Sequence, residues 1–283
     1  MTEPGDLARL CALMDHFDVV QLAHQLGPSL PQRSGEHRFV YRLHEPHDPN
    51  GPRLQGQMEG STGAADTITL HLHGGTPVDS LAHVALNGRL FDGSAVFSPG
   101  GQSETEGVRM NGGETMRPIV GRGVLLDFAE LLGAAQVPDD YVVTAAELSR
   151  CAKRKGVSLR AGDVVLLRTG RDCFAGTPAA FYRAPFPGID VTAARALATA
   201  QVVAAGSDTF AFEASGLEVP LQPHVELISR AGVFIMEMLD LRELAARGSA
   251  EFFVVVAPLR ITGATGSPVN PLAFVRRGTP PSS

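Results

Sequence analysis

Residues 70–93 read LHLHGGTPVDSLAHVALNGRLFDG and bring His71, His73, Asp79 and His83 into one short segment. An alternating run, Thr67-Ile68-Thr69-Leu70, leads in and predicts a strand, and Gly74-Gly75 then redirects the chain. Strand alternation would put His71 on the same face as His73. Imidazole nitrogens and a carboxylate are the donors that bind a divalent metal or move protons near neutral pH. Three of the nine histidines in the chain fall here, more than composition alone supplies. The plain alternative is a polar surface loop with incidental histidines.

Working outward, the 283 residues can bury a sizeable core. The hydrophobic fraction is 44% and the charged fraction 19%, a globular balance. Net charge is −6, and the densest basic run is Lys153-Arg154-Lys155, so nucleic acid is not expected as a partner. Cys11, Cys151 and Cys173 lie far apart without CxxC spacing. That argues against a disulfide framework and for a cytoplasmic location. The acidic start lacks a signal-peptide core, and no apolar run approaches the ~20 residues of a membrane span.

N-terminal to the central stretch, Leu7, Leu10, Leu13, Phe17, Val20 and Leu22 are spaced for an amphipathic helix or a broken pair over residues 6–26. Residues 27–66 are Gly-, Pro- and His-rich, with His37, His44 and His47 too dispersed for a site; Phe39-Val40-Tyr41 alone suggests a strand. C-terminal to the stretch, residues 94–118 again read as loop. Val124-Leu125-Leu126 predicts a buried strand followed by a helix start near Asp127. Thr144-Ala145-Ala146-Glu147 is a capping box, with the helix running to Lys155 and stopped by Gly156. Residues 164–167 predict a buried strand ending at Arg168, which reads best as a salt-bridge residue. Residues 191–200 predict a helix. Val202 to Ala205 lead toward Asp208 and Glu213, read as structural or supporting carboxylates. His224 opens a helix, Val233 to Met236 form a strand that delivers Glu237, and residues 239–246 read as helical. Residues 252–259 give the clearest strand. A flexible tail is expected over residues 276–283.

The central stretch resembles the signature of the putative cyclase family, whose best-known members are bacterial kynurenine formamidases: His-x-Gly-Thr-His-x-Asp-x-x-x-His. Here His73, Gly75, Thr76, Asp79 and His83 match in register, and Pro77 replaces the second histidine. Further segments resemble the family in order: the strand ending in Arg168-Thr169-Gly170, Asp208-Thr209 with Glu213, His224 before a helix with Glu237 after the next strand, and the closing Gly263-Ala264-Thr265-Gly266-Ser267-Pro268. The resemblance implies an α/β, swivelling β/β/α fold of mixed β-sheets with flanking helices. It implies a catalytic domain over residues 66–275 after an N-terminal helix and loop arm over residues 1–65, and a homodimer or homotetramer.

For function, the resemblance implies metal-dependent hydrolysis of a non-peptide C–N bond, in a formamide or cyclic amide of a small molecule. His73, Asp79, His224 and Glu237 would hold Zn or Mn, and His83, Glu237 and His224 would form the catalytic group, with His83 the acid/base. Pro77 has no ligating atom. If the metal has been lost with it, His83, Asp79, His224 and Glu237 would suit a metal-independent cyclase or lyase. A binding or structural protein that keeps the fold without the chemistry is the third reading.

Overall fold

The computed structural model describes residues 6–30, 39–48, 58, 60–171, 181–182 and 185–278. His37, Cys173 and residues 279–283 lie outside them. In chain order the strands are β1 (Phe17–Gln21), β2 (Val40–Glu45), β3 (Ala65–Thr69), β4 (Pro77–Asp79), β5 (Gln102–Ser103), β6 (Gly107–Val108), β7 (Ile119–Asp127), β8 (Val142–Val143), β9 (Val164–Arg168), β10 (Gly188–Ile189), β11 (Ala204–Ser207), β12 (Phe234–Met236), β13 (Glu251–Val256), β14 (Gly266–Pro268) and β15 (Leu272–Arg276). The α-helices are α1 (Asp6–Met14), α2 (Phe128–Leu132), α3 (Ala145–Lys155), α4 (Val191–Thr199), the short α5 (Gln222–His224) and α6 (Arg242–Ala246). A π-helical turn, Val225–Arg230, continues directly from α5.

Nine strands form one mixed sheet in the order β1-β15-β13-β7-β9-β11-β12-β4-β14. The centre, β7-β9-β11-β12, is parallel, and antiparallel strands extend it on both sides. Val164, Val165, Leu166 and Leu167 are all buried, as expected for a strand covered on both faces. One face packs through Val124, Leu126, Val165 and Leu167 against Leu148, Leu197, Leu227 and Ile228 of α3, α4 and the π turn. The other packs through Leu125, Leu166, Phe252 and Val254 against Val20, Leu22 and Leu244. The expected mixed α/β architecture with flanking helices is the one observed.

Local predictions hold where the signal is local. The Thr144 side chain accepts from the Glu147 N–H, and Gly156 ends α3 in the left-handed conformation. Asp127 caps α2, and Arg168 pairs with it at 3.0 Å.

Four expectations change. The helix over residues 6–26 stops at Met14, because the Phe17-Asp18-Val19-Val20 run finds a strand partner in β15, from Phe17↔Arg276 to Gln21↔Leu272, and Val20 drops into the core. Arg276, where a tail was expected to begin, is therefore still in the sheet, and the Arg277 guanidinium donates to Asp18 at 2.9 Å. The strand before the central stretch ends at Thr69, so His71 and His73 sit in a turn rather than on one strand face, and β3 pairs only with β2 in an exposed ribbon. The last helix spans only Arg242–Ala246, since Asp240 is spent on a backbone bond to Leu22.

Candidate active site and metal centre

Asp79 ends β4, the three-residue strand held between β12 (Met236↔Val78) and β14 (Gly266↔Asp79). The loop before it is pinned by Thr76, whose buried hydroxyl donates to the Met238 carbonyl at 2.7 Å and accepts the His24 N–H. Gly75 allows this path: its φ is +76° and an added Cβ would stand 2.4 Å from Leu26. After Asp79 the chain turns through Ser80, whose carbonyl accepts the His83 N–H at 3.0 Å, and that turn sets the His83 ring. Glu237 follows the carboxyl end of β12, its N–H donating to the Pro77 carbonyl. His224 closes α5, where the π turn begins, a distortion common at functional sites. Ser229 in that turn donates to the carbonyl of Val84, joining the segments that carry His224 and His83.

These elements bring His73, Asp79, His83, His224 and Glu237 together. His73 Nδ1 is 2.7 Å from Asp79 Oδ1. His224 Nε2 lies 3.6 Å from Asp79 Oδ2 and 3.4 Å from Glu237 Oε1. The His83 ring centroid is 4.2 Å from that of His73 and 6.1 Å from that of His224. Glu213, read from sequence as a supporting carboxylate, hydrogen-bonds His224 Nδ1 and so aims Nε2 at the other carboxylates. Arg168 and Asp208 are not part of this cluster. Asp208 receives the N–H groups of Thr169 and Gly170 and the Thr169 hydroxyl, a structural duty, while burial raises its pKa to about 6.

Electrostatics divide the cluster. Burial opposes ionisation of Asp79, but the imidazoles of His224 and His73 outweigh it and hold the carboxyl well below the usual range. Burial also works against a charged His224, yet Asp79, Glu213 and Glu237 raise its pKa. Burial raises Glu237. His83 goes the other way: burial pushes it down to about 4, only partly countered by Asp79. Its ring makes no hydrogen bond to a described residue, and the downward shift favours the neutral imidazole.

The donor set fits a divalent cation. Asp79 is only 2% exposed, and its Oδ2 has no hydrogen-bond partner among the described residues. A buried carboxylate oxygen left unsatisfied is costly. The ligand atoms of Asp79, His224 and Glu237 lie within 4.8 Å of one another, as do those of His73, Asp79 and His83. Imidazole with carboxylate suits Zn or Mn, and a Glu213 bond to the far nitrogen of His224 is the usual support for a ligating histidine.

The cluster opens into a cavity of about 580 Å³. Leu26, Leu30, Phe39, Tyr182, Phe210 and Met238 wall it, and no Lys or Arg does among the described residues. Residues 27–66 thus contribute a wall and residues 94–118 do not. Sequence reasoning missed Thr265, whose hydroxyl meets His73 Nε2 at 2.9 Å. The signal was present in the Gly263-Ala264-Thr265-Gly266-Ser267-Pro268 segment, which the sequence marks only by its family resemblance.

The family model described as "Putative cyclase" matches residues 20–214, and the chain belongs to that family. An isatin hydrolase of Roseibium aggregatum is 33% identical over 145 residues, 48% of this chain. The match spans only 53% of that relative's own length. A crystal structure of a novel cyclase superposes with a TM-score of 0.81 at 26% identity, covering 96% of this chain and 91% of the other. Isatin hydrolase A from Ralstonia solanacearum gives 0.71 at 24% identity over 98% and 99%, a likeness of fold. No helix among the described residues is long and apolar enough to cross a membrane.

Proposed function

We propose that this chain hydrolyses a non-peptide C–N bond, in a cyclic amide or a formamide of a small apolar molecule, with Zn or Mn held by His73, Asp79, His224 and Glu237. The observation that carries this reading is the bare Oδ2 of buried Asp79, facing His224 and Glu237 beside the cavity. A bound cation would polarise the substrate carbonyl and lower the pKa of the attacking water. The chain's own residues do the rest. The aliphatic and aromatic walls take up an apolar ring and displace water from it. Glu213 keeps His224 in orientation. His83 accepts a proton from water as the water oxygen joins the carbonyl carbon, and it returns that proton to the nitrogen as the C–N bond breaks. The likeness to an isatin hydrolase supports a cyclic amide.

Pro77 favours a second reading, a metal-independent cyclase or lyase, because it removes one donor of the family signature. The two part in one assay. Isatin and an N-formylanilide are offered to protein loaded with Mn or Zn, and to the same protein after chelator. Ring opening or deformylation that disappears with chelator and returns with metal supports the hydrolase. Turnover that chelator leaves intact takes the metal out of the mechanism, and no turnover of either compound in any form of the protein leaves the second reading favoured.

A further inference from the structure

We propose that Thr265 is a positioning residue that fixes the ring of His73 for the metal centre; the inference rests on the reading above. Thr265 comes from the far end of the chain but is tied to the strand of Asp79. Its carbonyl accepts the Ser80 N–H at 2.9 Å, and the next residue, Gly266, pairs with Asp79. From there its hydroxyl reaches His73 Nε2 at 2.9 Å, while Asp79 Oδ1 holds Nδ1 at 2.7 Å. The ring is thus held at both nitrogens, and a half-turn about its bond to Cβ would forfeit both contacts. It also lies close against Gly266, where an added Cβ would stand 2.7 Å from Cε1 and 3.1 Å from Nδ1.

The choice of a hydroxyl matters. An ionised Asp79 only accepts, so a neutral His73 ring facing it carries its proton on Nδ1, and Nε2 then accepts from Thr265. A cation on the Asp79 side needs the opposite tautomer, with Nε2 donating. A hydroxyl serves both arrangements, since it donates and accepts. Thr265 therefore keeps the ring in one place whichever tautomer is present. Valine has the same shape and serves neither.

The test compares wild type, Thr265→Val and Thr265→Ser by two readouts. Metal affinity is measured by competition between the protein and a chromophoric chelator for Mn and for Zn. The tautomer of His73 is read in metal-free protein from long-range 1H–15N correlations. The proposal expects Thr265→Val to weaken affinity about 10- to 100-fold, the usual effect of losing such a partner, and Thr265→Ser to recover most of it. It also expects the Nδ1–H form of the neutral ring in all three proteins, since Asp79 sets it, with the His73 ring resonances broadened or shifted in Thr265→Val alone. Wild-type affinity in Thr265→Val, or a serine variant as weak as the valine one, overturns it. If wild type takes up neither metal, the function proposed above fails, and an unaltered His73 spectrum in Thr265→Val then overturns the role of Thr265 as well.

Discussion

The two oxygens of Asp79 meet different fates. Oδ1 is held by His73, and Oδ2 is buried without a hydrogen bond among the described residues. Burying such an oxygen is costly, and His224 at 3.6 Å stands at ion-pair distance but too far to donate a hydrogen bond. Glu213 sets the direction of His224, so Glu213→Gln should lower metal affinity about 10- to 100-fold with little change in fold, read by chelator competition alongside circular dichroism. Unchanged affinity would show that His224 needs no such orientation. The cysteines offer a check on burial away from the site. Cys151 is buried, and burial pushes its thiol up to about 12, whereas Cys11 is exposed. The thiolate is the reactive form, so at pH 8 iodoacetamide should label Cys11 readily and Cys151 only after denaturation. Equal labelling in native protein, followed by peptide mass spectrometry, would contradict the packing described under α3.

At the level of elements, the caps and strands of the central α/β portion behave as local chemistry dictates. Replacing Thr144 by Ala removes the acceptor for the Glu147 N–H and should cost about 1 kcal/mol of stability. Turnover in the assay proposed above should not change, since no residue of α3 lines the cavity; denaturant titration and that assay check the pair. Elements of this kind were legible in the sequence because their signals span a few residues: the capping box at Thr144, the apolar run before Arg168, the strand before Glu237. What was not legible depends on distant partners. Phe17 to Gln21 satisfy a helical spacing as well as a strand, and only β15, from the opposite end of the chain, decides between them. Thr265 looks like a turn residue until β14 is laid against β4 and its hydroxyl comes up to His73. The π turn after His224 has no local signature at all.

Across the whole molecule, the site lies where the parallel centre of the sheet gives way to antiparallel β4, with Glu237 beyond the carboxyl end of β12. Ligands of open α/β sheets gather at such carboxyl ends. His73, Asp79, His83, His224 and Glu237 were each readable as candidates, three from clustering and two from family likeness. Their convergence was not readable, because it follows from a sheet order that places β4 between β12 and β14. The same order explains how the centre can tolerate Pro77: that residue spends its carbonyl on the Glu237 N–H and its place in the sheet opposite Pro268, contributing backbone rather than a ligand. On the function proposed above, the remaining residues still hold a metal. This is tested most directly by elemental analysis of protein purified without a metal-affinity column and then equilibrated with Zn and Mn, for wild type and Asp79→Ala. Stoichiometric metal is expected in wild type, with a higher melting temperature than the chelator-treated form, and its loss is expected in the folded Asp79→Ala variant. Wild-type protein that takes up neither metal would contradict that function.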